Sequence, residues 1–485
     1  MLRRSAIRTW FAVLTGAAVG FTGGVAQAQC QQAKLVPQEG EAGDEFGAAM
    51  AVAGNYMIAG APRTDGAGFG VEDAGAAYVF AAGETGWTQQ AMLTAGADAA
   101  AGDAFGASVS ITIGYCIAGV EFDGDAGLTS GSAYIFRQFG DTWVEDVKLT
   151  AGDDSAAFDH FGVSVAIDGD VALVGASFDD DNADSSGSVY VFERTAGAWD
   201  PVQKLTASDA GFGDQFGHAV ALSGDYAVIG APEDDGDSAG QFSSGSAYIF
   251  ARTLGVWDEL DKLTAEDATS SEFFGSAVAI DGDVAVVGAD RDDDSCFEEG
   301  QSDCGAAYIF RRNGLHWVYD VKLAAADTYP GQKFGLSVSI AGAHVIVGTE
   351  YDNHAGTDSG AAYLFVHNGT EWKQQAKLLA SDASARDKFG VSVAMAGDYA
   401  LAGARGDDPG QSAGTTGSAY MFMRFDMLDL AEFQVCATGP PDGWRAWWTA
   451  QCAVFDCDGD NAVDLGDYAN FSAMLTGPRP RSAGF

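Results

Sequence analysis

Short apolar runs in which large and small side chains alternate recur along most of the chain, four to a set. In one set, Phe161 to Ile167 reads FGVSVAI, Val171 to Ala176 reads VALVGA, Gly187 to Arg194 reads GSVYVFER and Trp199 to Ala207 reads WDPVQKLTA. Runs of this length, rich in Val, Ile, Tyr and Phe and bounded by Gly and Asp, predict four short β-strands. Successive side chains of a strand face opposite ways, so Val165 and Ile167 fall on one side of the first run and Ser164 and Ala166 on the other. One face carries bulk, and the other lets a neighbouring sheet come close. Between the first two runs stands an Xaa-Gly pair, as at Asp168 Gly169 and Asp281 Gly282. That pair predicts a type I′ hairpin, whose two central residues both need positive φ.

The set itself repeats. Phe-Gly recurs at Phe46, Phe105, Phe161, Phe216, Phe274, Phe334 and Phe389, spaced 55 to 60 residues apart. A fixed long period makes each set one unit of a repeat architecture. Sheets that need cover on both faces are satisfied by a ring, which also leaves only short, protected edges. The predicted class is therefore all-β, a seven-bladed β-propeller of four-stranded blades. Its closure can be read from the fourth strand. Lys-Leu at Lys148, Lys204, Lys262, Lys322 and Lys377, with Met92 Leu93 as a variant, follows six Tyr-x-Phe strands, but nothing of the kind follows Tyr420 to Phe422. The missing copy stands before the first repeat, at Lys34 Leu35. The N-terminal strand is expected to complete the last blade.

These residues resemble the FG-GAP family, whose best-known members are the integrin alpha-subunit propellers. Phe-Gly and Gly-Ala-Pro appear literally as Phe46 Gly47 with Gly60 Ala61 Pro62, and as Phe216 Gly217 with Gly230 Ala231 Pro232. The resemblance spans roughly residues 30 to 424 and implies a binding or adhesion propeller. The family's calcium loop, an Asp-rich insertion between the first two strands, is replaced here by the Xaa-Gly turn. Blade metal sites are therefore not carried over.

Charge changes the picture next. The formal net charge is −44, from 69 acidic and 25 basic residues. A surface so negative excludes nucleic acid and anionic membrane as natural partners, since both require positive potential. Hydrophobic residues at 47% exclude a disordered acidic chain. At the N-terminus, Arg3, Arg4 and Arg8 precede an apolar run from Trp10 to Phe21 and the small-x-small pattern Ala26 Gln27 Ala28. This predicts an export signal over residues 1–28 and an extracellular, cell-surface or periplasmic protein. No later run reaches the roughly 18 apolar residues of a membrane span. Seven cysteines in an exported chain predict some disulfides, with Cys296 paired to Cys304 and Cys436 to Cys452. Cys116 reads as a core residue, and Cys30 and Cys457 stay unassigned.

In a propeller the loops joining second to third strands share one face with the interblade loops. Both sets are acidic here, at Asp179 Asp180 Asp181, Glu233 Asp234 Asp235, Asp292 Asp293 Asp294, Asp153 Asp154 and Asp382. The other face carries Arg137, Arg194, Arg252, Arg311 and Arg312. The acidic face reads either as cation-seeking or, more economically, as turn-forming and solubilising, and both readings stay open. Arg405 Gly406 Asp407 spells an adhesion tripeptide in one such loop, of a length that arises by chance. The histidines His160, His218, His316, His344, His354 and His367 lack metal-ligand spacing, and no serine sits in a nucleophile elbow.

Beyond Arg424 the period stops. Asp456, Asp458, Asp460, Ala462, Asp464 and Asp467 fall at positions 1, 3, 5, 7, 9 and 12 of a twelve-residue loop, with position 7 supplying its carbonyl. That register predicts calcium; an acidic turn without metal is the alternative. Asp429 to Phe433 echoes Asp464 to Tyr468, and Trp444, Trp447 and Trp448 can cover the short helices expected there. Paired loop-helix units of this kind resemble dockerin type I modules, which implies calcium and a cohesin-type partner. Leu465 Gly466 and Leu430 Ala431 stand where Ser-Thr-type recognition residues are usual, so the cohesin implication is the weaker one. The expected organisation is a signal peptide (1–28), a propeller (29–424), a small α-helical, dockerin-like calcium module (425–478) and a tail (479–485). The expected function is non-catalytic binding, adhesion or scaffolding toward an extracellular protein or glycan. A secreted polysaccharide-directed hydrolase is the alternative.

Overall fold

A computed structural model describes residues 31–423, apart from 66–70, 84–85, 236–241, 297–301, 398 and 409–414. The export signal, the dockerin-like segment and its calcium residues Asp456 to Asp467 lie outside the described residues. Seven four-stranded antiparallel sheets follow one another along the chain. Blade 3 is typical: Phe161–Asp168 is innermost, followed outward by Val171–Ala176, Ser188–Thr195 and Ala198–Leu205. The inner strands of blades 1 to 7 begin at Ala49, Val109, Phe161, Ala219, Phe274, Ser337 and Phe389. Blade 7 takes its outer strand from the start of the chain: Gln31–Leu35 pairs antiparallel with Ser418–Met423, with Leu35 opposite Ala419 and Lys34 opposite Tyr420. The ring closes as the count of Lys-Leu segments requires.

Large and small faces interlock between blades. Val165 and Ile167 share an apolar cluster with Ile117 and Ile135 of blade 2, whereas Ala166 packs with Ala227 and Ile229 of blade 4. The two glycines of the family motif meet at each blade junction. A Cβ on Gly60 would stand 1.9 Å from the carbonyl oxygen of Gly106 in the next blade, and one on Gly403 would stand 2.0 Å from that of Gly47 across the closure. Any side chain there would force the sheets apart. The phenylalanine before the second glycine is fully buried and meets the Tyr-x-Phe strand edge-on, with Phe46 lying 5.6 Å from Tyr78. Its amide donates to the preceding blade, as from Phe161 to Ser130 O at 3.0 Å. Outer-strand tryptophans reach backwards to the previous blade in the same way, Trp199 meeting Tyr115 and Trp87 meeting Tyr399.

One turn differs from expectation. Asp168 pairs with Val171, so the two loop residues are Gly169 and Asp170, and of these only Gly169 has positive φ (60°). Glycine at the first central position is the φ signature of a type II′ turn, because strand pairing extends one residue further than the Asp-Gly signal implied. Cys296 and Cys304 are bonded with Cα atoms 5.5 Å apart, and Cys116 is a buried free thiol. Among the described residues the only helical pieces are two 3₁₀ turns, Gly96–Asp98 and Gly152–Asp154. None is long and apolar enough to cross a membrane.

Candidate functional site

Strand polarity places the second-to-third loops, the interblade loops and the Phe-Gly turns on one face of the disc. Its acidic residues are mostly committed to the fold. In blade 3, Lys204 of the outer strand bonds Asp179 at 2.8 Å, also pairs with Asp181, and lies 5.1 Å from the centre of the Tyr190 ring. Asp179 is 3% exposed and accepts from Ser188 Oγ (2.9 Å) and Tyr190 Oη (3.1 Å). The same Lys-Asp-Tyr cluster is built from Lys148 and Asp123, Lys262 and Asp234, Lys322 and Asp292, Lys377 and Asp352, and Lys34 and Asp407. A buried charge needs a partner and hydrogen bonds, and each cluster supplies both. Burial opposes charge on Lys148, but hydrogen bonds to Asp123 and Asp125 outweigh it and raise the lysine above its ordinary value. Asp123, against the same opposition from burial, is held below the usual carboxylate range by Lys148 and Ser132.

Blade 1 lacks the cluster as a unit. Met92 stands at the lysine position and Thr64 at the aspartate position, and the buried hydroxyls of Thr64 and Tyr78 make no hydrogen bond. This joint loss is the signal by which the lysine's role could have been found in the sequence. The adhesion tripeptide is absorbed by the same architecture. Asp407 is buried against Lys34 and Ser418, while Arg405 pairs with Glu350 at 2.8 Å.

A second row of carboxyls stands two residues before six of the seven motif phenylalanines. Asp44, Asp103, Asp159, Asp214 and Asp387 are buried, each accepting from the backbone amide three residues earlier; Glu272 instead accepts from Thr269 Oγ1. Burial raises all six, Asp44 and Asp387 to about 6 and Glu272 to about 7. In blade 6 this position is Gln332, whose amide nitrogen donates to Asp352 (3.0 Å) and to Tyr363 Oη (2.8 Å).

Down the axis runs a channel of about 540 Å³ lined by all seven inner strands, chiefly by Val, Ile, Ala and Ser. His218 stands at its mouth on the loop face, and burial lowers its pKa. The other histidines do not gather. His160 pairs with Glu121 between Phe122 and Phe178, His316 pairs with Asp261, and His367 packs on Trp372. Among the described residues no group of three or more His, Cys, Asp or Glu is arranged to hold a metal.

Seven four-stranded sheets closed into a ring by the N-terminal strand define a seven-bladed β-propeller. The FG-GAP repeat family matches residues 30–80, 87–136, 143–192, 199–250, 257–310, 317–365 and 372–422, and the chain belongs to that family. Each match runs from an outer strand into the first three strands of the next blade, so the first one spans the closure. No curated protein matches the sequence. Among solved structures, the crystal structure of Saccharomyces cerevisiae Sqt1 is similar at 10% identity and a TM-score of 0.42, covering 78% of this chain and 83% of that one.

Proposed function

We propose that the chain is an exported, non-catalytic scaffold whose propeller is the binding disc and whose C-terminal segment is a calcium-stabilised attachment module. The observation that carries this reading is the commitment of blade carboxylates to lysine and tyrosine partners, repeated in six blades. Groups held this way stiffen loops and leave the face to recognise a partner by shape and charge. An extracellular protein or glycan is the ligand class that suits such a face. Calcium belongs in this proposal to Asp456, Asp458, Asp460, the carbonyl of Ala462, Asp464 and Asp467, where hard cations would find their six to eight oxygens. The test is calorimetric titration of calcium into the full chain and into Asp456→Ala/Asp467→Ala. Saturable binding lost in the variant is the expected result; saturable binding retained there would move the metal elsewhere. A panel of glycans and esters left unhydrolysed is expected, and turnover would replace the scaffold reading with a hydrolase.

A further inference from the structure

Charge and apolar surface are segregated on the loop face. Beyond the cluster lysines, its described cations are Arg63, Arg291, Lys333, Arg386, Lys388 and Arg405, all in the arc from blade 5 round to blade 1. The opposite arc, blades 2 to 4, carries the exposed side chains Phe122, Leu128, Phe158, Phe212 and Phe242, at 39%, 65%, 55%, 78% and 67% exposure. Around them Asp153, Asp154, Asp180, Asp184 and Asp235 are exposed and carry no ion pair among the described residues. Phe158 donates its amide to Leu128 O at 2.8 Å, which sets two exposed apolar side chains on one bonded pair of loops. Phe122 meets His160 edge-on and Phe178 meets it tilted, with ring centroids 5.4 and 4.8 Å apart.

Phe158 also sits at φ +76°, at the repeat position filled by Gly43, Gly102, Gly213 and Gly331 in four other interblade loops and by Ser271 and Arg386, likewise at positive φ, in the remaining two. A bulky aromatic in the left-handed region is strained, and such outliers cluster where they serve recognition. We infer that the arc formed by Leu128, Phe158, Phe212 and Phe242 docks a segment of another protein that presents apolar side chains flanked by Lys or Arg. The inference rests on the scaffold reading and adds the chemistry of the partner. Unpaired aspartates around an apolar patch complement cations and repel acids. A second copy, at net charge −44, is a poor occupant, and residues 424–485 of this chain are themselves net acidic.

The test uses the full chain and three fluorescent 14-residue peptides, one of Lys and Leu in amphipathic order, one with Glu for Lys, and one with Ser for Leu. Anisotropy is read at about 0.15 M salt, where distant surface charges are screened. The Lys-Leu peptide is expected to bind at least tenfold tighter than either control. Phe158→Gly is expected to melt no lower than wild type and to weaken that binding at least tenfold, as is Phe212→Ser/Phe242→Ser. Phe139→Ser on the opposite face should leave it unchanged. Equal affinity for all three peptides, or affinity unmoved by both variants, would overturn the assignment. So would self-association of the wild type abolished by Phe158→Gly, which would make a second copy the occupant. A preference for the Glu-Leu peptide, lost in Arg63→Ala/Arg405→Ala, would keep the scaffold reading and sink this one. Hydrolysis of glycans or esters, by contrast, would sink the scaffold reading itself.

Discussion

Lys322 lies 2.7 Å from both Asp292 and Asp267, and Tyr308 Oη approaches Asp292 at 2.5 Å. Asp292 has no exposed surface, so removing the lysine strands a buried carboxylate. Lys322→Met is expected to cost about 3 kcal/mol in urea unfolding, the range seen when one member of a buried pair is deleted. Blade 1 carries the compensated solution, Thr64 with Met92, and the double variant Asp292→Thr/Lys322→Met is expected to recover most of the loss. A double-mutant cycle with no coupling between the two positions would remove the lysine's structural role. Burial opposes the charge on Lys322, but Asp292 and Asp267 raise its pKa overall. The stability it adds is therefore full below the unfolded lysine value and is lost as pH climbs through the folded one.

Among the loop elements, the buried carboxyl two residues before the motif phenylalanine, present in six blades, acts in the opposite sense to Asp123 of the blade 2 cluster. Asp123 is depressed overall, so its contribution is present above the unfolded carboxylate value and fades as pH falls. Glu272 is raised from 4.5 to about 7, so its contribution is full below about 4.5 and is lost as pH rises toward 7. Glu272→Gln copies Gln332, the amide that blade 6 already uses at this position. The variant is expected to melt higher than wild type at pH 8 and to flatten the melting profile between pH 4.5 and 7. An unchanged profile across that window would show that Glu272 titrates as an ordinary surface acid.

For the whole molecule, closure is the main mechanical fact. Gln31–Leu35 supplies the outer strand of blade 7, and Lys34 supplies that blade's cluster cation to Asp407 and Asp382. Deleting Gln31 to Val36 would bare Ser418–Met423 as an edge and leave Asp407 without its lysine. Unpaired edge strands template association. The shortened chain is expected to unfold at lower temperature and to sediment as aggregates. A monomer of unchanged melting temperature would contradict the role of the N-terminal strand.

Strand number, blade count and closure were legible in the sequence, because each depends on a local pattern repeated at fixed spacing. Alternation of Val165 and Ile167 with Ser164 and Ala166 specifies which neighbour each face meets. Phe-Gly and Gly-Ala mark a backbone approach too close for any side chain, and the displaced Lys34 Leu35 marks the joint. The acidic loops could not be apportioned in the same way, because Asp179 and Asp180 are adjacent and chemically identical. One of them turns inward to Lys204 and the other stays in water, and that choice depends on register against Ser188 and Tyr190 on the following strand. The tripeptide at Arg405 was ambiguous for the same reason until Asp407 was seen to face Lys34, 373 residues earlier in the chain. Likewise, nothing local announces that the exposed phenylalanines lie in one arc and the cations outside the lysine clusters in the other. The distance between interblade loops is set by the curvature of the closed ring, which exists only once all seven sheets have packed.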